Sequence, residues 1–62
     1  MTRHALYARR DQRRRWTLIG VWDSRDDAVA AKLDAMRHIG HTLIVAVDGD
    51  PPRTQRADAL FS

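Results

Sequence analysis

Five arginines surround one polar stretch of the chain, and they are the residues best suited to chemistry with a partner. They lie between Arg9 and Arg15, with Tyr7 before them and Trp16 after them. Guanidinium groups bind phosphates and carboxylates bidentately, and neighbouring aromatic rings stack on unpaired bases. The pattern predicts a site for an anionic macromolecule. The predicted binding residues are Arg9, Arg10, Arg13, Arg14, Arg15, Trp16 and Trp22.

Residue patterns for catalysis and metal binding are weak. The chain has no Cys and no Glu, and no Ser lies in a nucleophile-elbow pattern. Asp34, His38 and His41 lie close enough in sequence to share a metal ion, but His38 also suits the end of a helix. Asp48-Gly49-Asp50 begins like a calcium loop and lacks the later ligands. We expect no enzyme activity, no metal site and no cofactor.

Length and charge limit the fold class and the location. The 62 residues carry 11 basic and 8 acidic side chains, for a net charge of +3. Such a chain forms one small domain, and the absence of Cys excludes a disulfide framework or a thiolate zinc site. Its apolar runs reach about five residues, whereas a membrane helix needs about 20. Because Met1–His4 also has no signal-type apolar stretch, we expect a cytoplasmic protein that does not bind membranes.

Alternating and β-branched residues predict two strands joined by a hairpin. His4–Arg10 alternates apolar and polar side chains, and Arg15–Asp23 is rich in aromatic and β-branched residues. Asp11–Arg14 has the length of a four-residue loop built on a type I turn. The second strand is apolar on both faces, and a bulge at Gly20 would merge part of the two sets.

Residues 24–40 have the signals of an amphipathic helix at both ends. Ser24 and Asp27 form a capping-box pattern, and Gly40 occupies the position that ends a helix. One apolar stripe, which we expect to face the sheet, contains Val29, Leu33, Met36 and Ile39, with Ala28, Ala31 and Ala35 alongside it.

A third strand is predicted over Thr42–Val47, where the apolar run is nearly continuous. Because the helix carries the chain back, the third strand runs parallel to the second. The third strand can pair either with the second strand or with the first. We favour the first, because parallel pairs are less common in small sheets. The predicted fold is α+β: a small ββαβ module with a three-stranded, mainly antiparallel sheet in the order 2-1-3 and one amphipathic helix on one face. The domain spans residues 1–50, and residues 51–62 form a flexible C-terminal tail.

A single helix covers one face of such a sheet, so the other face or an edge is left open. Trp16, Leu18 or Trp22 would then be exposed there. Exposed apolar patches mark interaction sites, and Trp and Arg are enriched at binding hot spots.

Two resemblances extend this interpretation. Tyr7-Ala8-Arg9-Arg10, Trp16–Trp22 and Ser24–Ala28 resemble the arm-type DNA-binding domain of tyrosine integrases, in which a basic aromatic hairpin leads into a helix. That family has three strands before the helix, whereas here the third strand follows it. In size and architecture, residues 4–48 also resemble the small accessory proteins of phages and mobile elements, which include anti-CRISPR inhibitors.

The expected function is that of a non-enzymatic small binding protein. The second resemblance implies a phage-encoded inhibitor that binds a bacterial defence or nucleic-acid-processing complex. The partner is then a bacterial protein or ribonucleoprotein complex, bound through the arginine-rich hairpin and an exposed Trp. Direct DNA or RNA binding by the same hairpin is one alternative, and a structural module or a homodimer through the Trp16–Leu18 face is another.

Overall fold

The chain folds into a four-stranded antiparallel sheet with one helix. The structure, a computed structural model, describes residues 2–11 and 13–56. The strand order across the sheet is β3-β1-β2-β4, and each neighbouring pair is antiparallel. The elements in chain order are β1 (Arg3–Arg9), β2 (Trp16–Trp22), α1 (Arg25–Ala35), β3 (His41–Val47) and β4 (Thr54–Gln55).

The α+β class, with one helix and an antiparallel sheet, is confirmed, but the three-stranded sheet in the order 2-1-3 is wrong. A fourth strand lies beyond β2, where Thr54 pairs with Thr17 and Gln55 with Trp16. The carbonyl of Arg53 also accepts a 2.8 Å hydrogen bond from the Leu18 N–H. This strand was missed because Thr54–Gln55 is too short to show a period. The last part of the expected tail, 57–62, lies outside the described residues.

β1 pairs with a strand along each edge and is buried along most of its length. The residues from Ala5 to Arg9 are all buried, whereas β2 and β3 are largely half-buried. Because side chains alternate along a strand, Ala5 and Tyr7 face one side of the sheet and Leu6 and Ala8 face the other. Both faces of the sheet are therefore covered at β1.

The main apolar cluster lies on the face of Ala5 and Tyr7. These two residues and Trp16 form its buried centre. None of the described residues packed around that centre comes from α1, so we place the helix on the opposite face. The surrounding residues are half-buried side chains of β2 and β3: Leu18, Val21, Leu43, Val45 and Val47.

A β-bulge in β2 brings its apolar residues onto this face. Leu6 pairs with Gly20 but Tyr7 pairs with Leu18, so Ile19 has no opposite residue in β1. The extra residue places Leu18 and Val21, which are three positions apart, on the same face. The bulge expected at Gly20 therefore falls on Ile19, and the Ile19 side chain is 48% exposed.

α1 packs chiefly through Ala28, on the face of the sheet where we place it, that of Leu6 and Ala8. Ala28 is fully buried, as is Leu6 beneath the helix. The expected core stripe is confirmed only at Val29 and Ile39, which are half-buried, and is wrong at Leu33 and Met36, which are 61% and 54% exposed. Alanine side chains let a helix lie close to a sheet, and turning Leu33 inward would lift the helix away.

No helix among the described residues is long and apolar enough to cross a membrane.

Both ends of α1 differ from the expected signals. Ser24 occupies the N-cap position, but its side chain makes no capping hydrogen bond, so the capping box is absent. The helix ends at Ala35 with Met36 as its C-cap, and a turn follows. Gly40 therefore does not end the helix. A Cβ at this position would lie 2.9 Å from the Arg10 carbonyl oxygen. Glycine lets the segment after the helix approach the end of β1.

Polar contacts hold the segment between β3 and β4 against the sheet. The Tyr7 hydroxyl donates a 2.8 Å hydrogen bond to the carbonyl of Pro52. At the other end of β1, Arg3 lies 3.5 Å from Asp23 and 3.9 Å from Asp50. Tyr7 is 1% exposed, so its hydroxyl depends on this partly buried bond for a partner, whereas exposed ion pairs contribute little.

Replacing Tyr7 with phenylalanine removes the hydroxyl and keeps the ring. We expect the free energy of unfolding to fall by about 1–3 kcal/mol, because the Pro52 carbonyl loses its donor. Urea denaturation followed by Trp fluorescence measures this change. Hydrogen exchange at the Leu18 amide, which bonds to Arg53, should accelerate in the same variant. Unchanged stability together with unchanged exchange would show that this bond does not hold the segment.

Gly20→Ala tests the packing of the Trp22 ring against the backbone of Gly20 in the same strand. A Cβ at Gly20 would lie 2.7 Å from Cη2 of Trp22, so the indole must move. We expect a loss of about 1–3 kcal/mol in the free energy of unfolding and an altered near-UV circular dichroism spectrum.

Gly49→Ala is the matched control for this substitution. No atom lies within 4 Å of a Cβ built at Gly49, and no described glycine has a positive φ. Its free energy of unfolding should stay the same or rise by about 0.4–1 kcal/mol. Equal responses of the two variants would contradict the contact.

Candidate anion-binding site

The basic hairpin consists of Arg9, Arg10, Arg13, Arg14 and Arg15, and Asp11 organises its turn. The Arg14 N–H donates to the Asp11 carbonyl at 3.3 Å, and the Arg13 N–H donates to the Asp11 carboxylate at 2.8 Å. Asp side chains often accept such bonds from the backbone two residues on. Arg14 Nε also lies 3.6 Å from this carboxylate. The acid within the basic stretch therefore shapes the turn.

The basic hairpin and the turn after α1 enclose a cavity of about 350 Å³, called the basic cavity here. Ala8 and Thr17 contribute the sheet side of its wall, and Ile19 and Ile39 contribute apolar surface. No carboxylate is among the described residues that line it. Its basic lining residues are Arg9, Arg10, Arg14, Arg15 and His38.

Arg9 stacks on an aromatic ring. Its guanidinium carbon lies 4.1 Å from the centroid of the Trp16 ring. Since Ala8 pairs with Thr17, the next position of each strand places Arg9 opposite Trp16. Arg9 is itself buried. The pair is a cation–π contact, which stabilises proteins by about 0.5–2 kcal/mol.

Trp16 is 1% exposed, so the expectation of an exposed indole at this position is wrong. The bulge and the strand register turn its ring into the apolar cluster, and Arg9 covers it. Tyr7 is equally buried, which removes the second ring expected to stack on bases. Trp16 and Arg9 also line a second cavity of about 350 Å³ with residues of α1 and β3.

The structure brings together part of the predicted site. Arg10, Arg14 and Arg15 line the basic cavity with Arg9. Arg13 is exposed on the turn and does not line it. Trp22 is half-buried at the far end of β2, where its ring lies against Gly20. A binding role for any of these seven residues stays a prediction.

Sequence reasoning missed His38, Ile39 and Ile19 as lining residues. His38 was interpreted as a helix-end residue, but α1 ends at Ala35 and the following turn carries His38 toward the hairpin. The signal in the sequence is Gly40, because its missing side chain permits the close approach to Arg10.

The basic cavity has the chemistry of an anion site. Guanidinium groups form two parallel hydrogen bonds to a carboxylate or phosphate, and Arg stays charged at every physiological pH. The volume lies at the lower end of the range for small-ligand pockets, which is about 300–1,000 Å³. No group of three or more His, Cys, Asp or Glu in the described part of the chain is placed to hold a metal ion.

Comparison with known proteins adds no assignment. No family model, no curated protein and no solved structure matches the chain.

Arg9→Lys keeps the charge and removes the planar group that stacks on Trp16. We expect the free energy of unfolding to fall by about 0.5–2 kcal/mol, with red-shifted Trp emission as the indole meets water. Arg13→Lys, at an exposed position, is the control and should match the wild type. If both variants unfold at the same urea concentration as the wild type, the stacking contact does not stabilise the fold.

Proposed function

We propose that the chain is a non-enzymatic binding protein that engages an anionic group on a protein or ribonucleoprotein partner through the basic hairpin. The observation that carries this proposal is the basic cavity, where arginines from both sides of the hairpin meet His38. The described lining contains no acid, and Asp11 pairs with Arg14 from outside it. A bound carboxylate or phosphate would accept further hydrogen bonds from these guanidinium groups.

The burial of the aromatic residues favours a protein surface over unpaired bases. Proteins that bind single-stranded nucleic acid without sequence preference stack the bases on exposed rings. Here Tyr7 and Trp16 are closed to solvent, so the rings beside the hairpin do not offer a stacking platform. Recognition of a partner then relies on the charge of the arginines and on apolar contact with Ile19 and Ile39. This combination suits an acidic protein surface or the backbone of a structured ribonucleoprotein.

The resemblance in size and architecture to phage accessory proteins suggests the class of partner. Within this proposal, the partner is a bacterial defence or nucleic-acid-processing complex, and binding inhibits it. Direct DNA or RNA binding through phosphates alone is the second candidate, favoured by the exposed Arg13 next to the cavity.

Charge reversal at the cavity tests the proposal. Arg10→Glu with Arg15→Glu should abolish capture of the partner from bacterial lysate, because the cavity then repels anions. Arg25→Glu with Arg53→Glu is the matched control, since both double variants change the net charge from +3 to −1. The control residues are exposed and do not line the cavity. Capture that survives the cavity variant removes the hairpin from the mechanism.

Two further arms separate the candidates. Treating the lysate with nuclease should leave capture of a protein partner intact. Labelled single- and double-stranded oligonucleotides, titrated at two salt concentrations, test direct binding. Each phosphate contact should then contribute a slope of about 0.7–0.9 in log affinity against log salt. Tight, salt-sensitive binding that is lost in the cavity variant would select the second candidate.

A further inference from the structure

The outer edge of β3 is open among the described residues. β3 is at the end of the sheet opposite β4, and its seven residues run from His41 to Val47. They contain no proline and no Lys, Arg, Asp or Glu, and the register with β1 shows no bulge. Charges, prolines and bulges are the usual means of protecting an edge strand. An edge without them readily pairs with another strand.

We propose that β3 pairs antiparallel with β3 of a second copy of this chain, which joins the two four-stranded sheets into one sheet. The pairing is centred on Ile44, so that Ile44 lies beside its equivalent. Leu43 then lies opposite Val45, and Thr42 opposite Ala46. Apolar and β-branched pairs of this kind stabilise a sheet.

The charges next to β3 favour a second copy in this orientation. Arg37 precedes the strand and Asp48 follows it, and both are exposed. Antiparallel pairing brings the basic start of one strand to the acidic end of the other, at both ends of the contact. Parallel pairing would instead place like charges together. The interface is therefore complementary in charge to itself.

Two exposed apolar residues, Leu33 of α1 and Met36 at its C-cap, lie on the side of the helix that we place beside this edge. Met36 lines a cavity with Thr42 and Leu43, so this side of the helix overhangs β3. Leu33 lies one turn earlier on that side of the helix. The two-fold axis of an antiparallel pair is perpendicular to the sheet, so both helices lie on one face.

Strand spacing sets the distance between the two helices. α1 lies over β1 and also contacts β3 and β2, and neighbouring strands are about 4.8 Å apart, which separates the helix axes by roughly 15 Å. Long side chains of Leu33 and Met36 from the two copies can meet across that gap. The contact would cover Leu33 and the C-cap residue Met36, both of which are more than half exposed.

This inference does not depend on the proposed function, because it rests on the outer edge of β3 and on Leu33, Met36, Arg37 and Asp48, none of which lines the basic cavity. The dimer places one basic hairpin at each end of the joined sheet.

Sedimentation equilibrium of the purified chain, from about 10 μM to about 500 μM, tests the proposal. We expect the mass to rise from 7.1 kDa toward twice that value. Leu33→Asp and Met36→Asp, tested separately, should each raise the dissociation constant by about tenfold or more. Ile19→Asp is the matched control, since it is an exposed apolar residue on the bulge of β2 and should leave the mass unchanged.

Two more measurements address the strand pairing itself. Asp48→Lys and Arg37→Asp should each weaken the dimer, and a mixture of the two variants should recover it. Hydrogen exchange of the β3 amides should slow as the wild-type concentration rises. A wild type that stays at 7.1 kDa at the highest concentration overturns the proposal. The proposal is also overturned if these substitutions leave the dissociation constant of the dimer unchanged while Leu18→Asp dissociates it, because the contact then uses the other sheet face.

Discussion

The position of β1 between two strands is the constraint on which the rest of the structure depends. Five consecutive residues of β1 are buried, so each of its side chains must find cover on one face of the sheet or the other. Ala5 and Tyr7 belong to the main apolar cluster, and Leu6 and Ala8 lie on the opposite face, where Ala8 lines the basic cavity. Arg9 is the one charged residue among these five, and its guanidinium group stacks on the Trp16 ring. A shift of one residue in this strand would exchange the two faces and bury the wrong set.

The candidate site follows from the way the ends of β1 are used. At one end, Arg3 lies near Asp23 and Asp50. At the other end, Asp11 shapes the turn and Gly40 allows the segment after the helix to approach. Four arginines of the hairpin therefore meet His38 around the basic cavity, and Asp11 pairs with Arg14 beside it. Because the neighbouring rings are buried, charge is the main means of recognition that this end of the molecule offers.

The two edges of the sheet have different environments. β4 covers part of the outer edge of β2, and the Arg53 carbonyl extends that cover by one bond. The outer edge of β3 has no such neighbour in the described residues. A chain of 62 residues buries only about 60% of the surface that its unfolded form exposes, so association adds burial that its own core cannot supply. Both the β3 edge and the helix side with Leu33 and Met36 would gain cover from one contact.

The sequence by itself determined the fold class, the helix near Ser24, and the hairpin that carries the arginines. Those features rest on local signals: alternation, 3.6-residue periodicity and a polar turn. Tertiary structure alone decided which side of α1 faces the sheet, because close packing of Ala28 competes with the larger area of Leu33, and local periodicity cannot weigh the two. It also decided the burial of Trp16 and the meeting of His38 with the hairpin. The burial of Trp16 depends on the register that the one-residue bulge sets between β1 and β2. The meeting of His38 with the hairpin depends on contacts between residues far apart in the chain. No local sequence pattern predicts either.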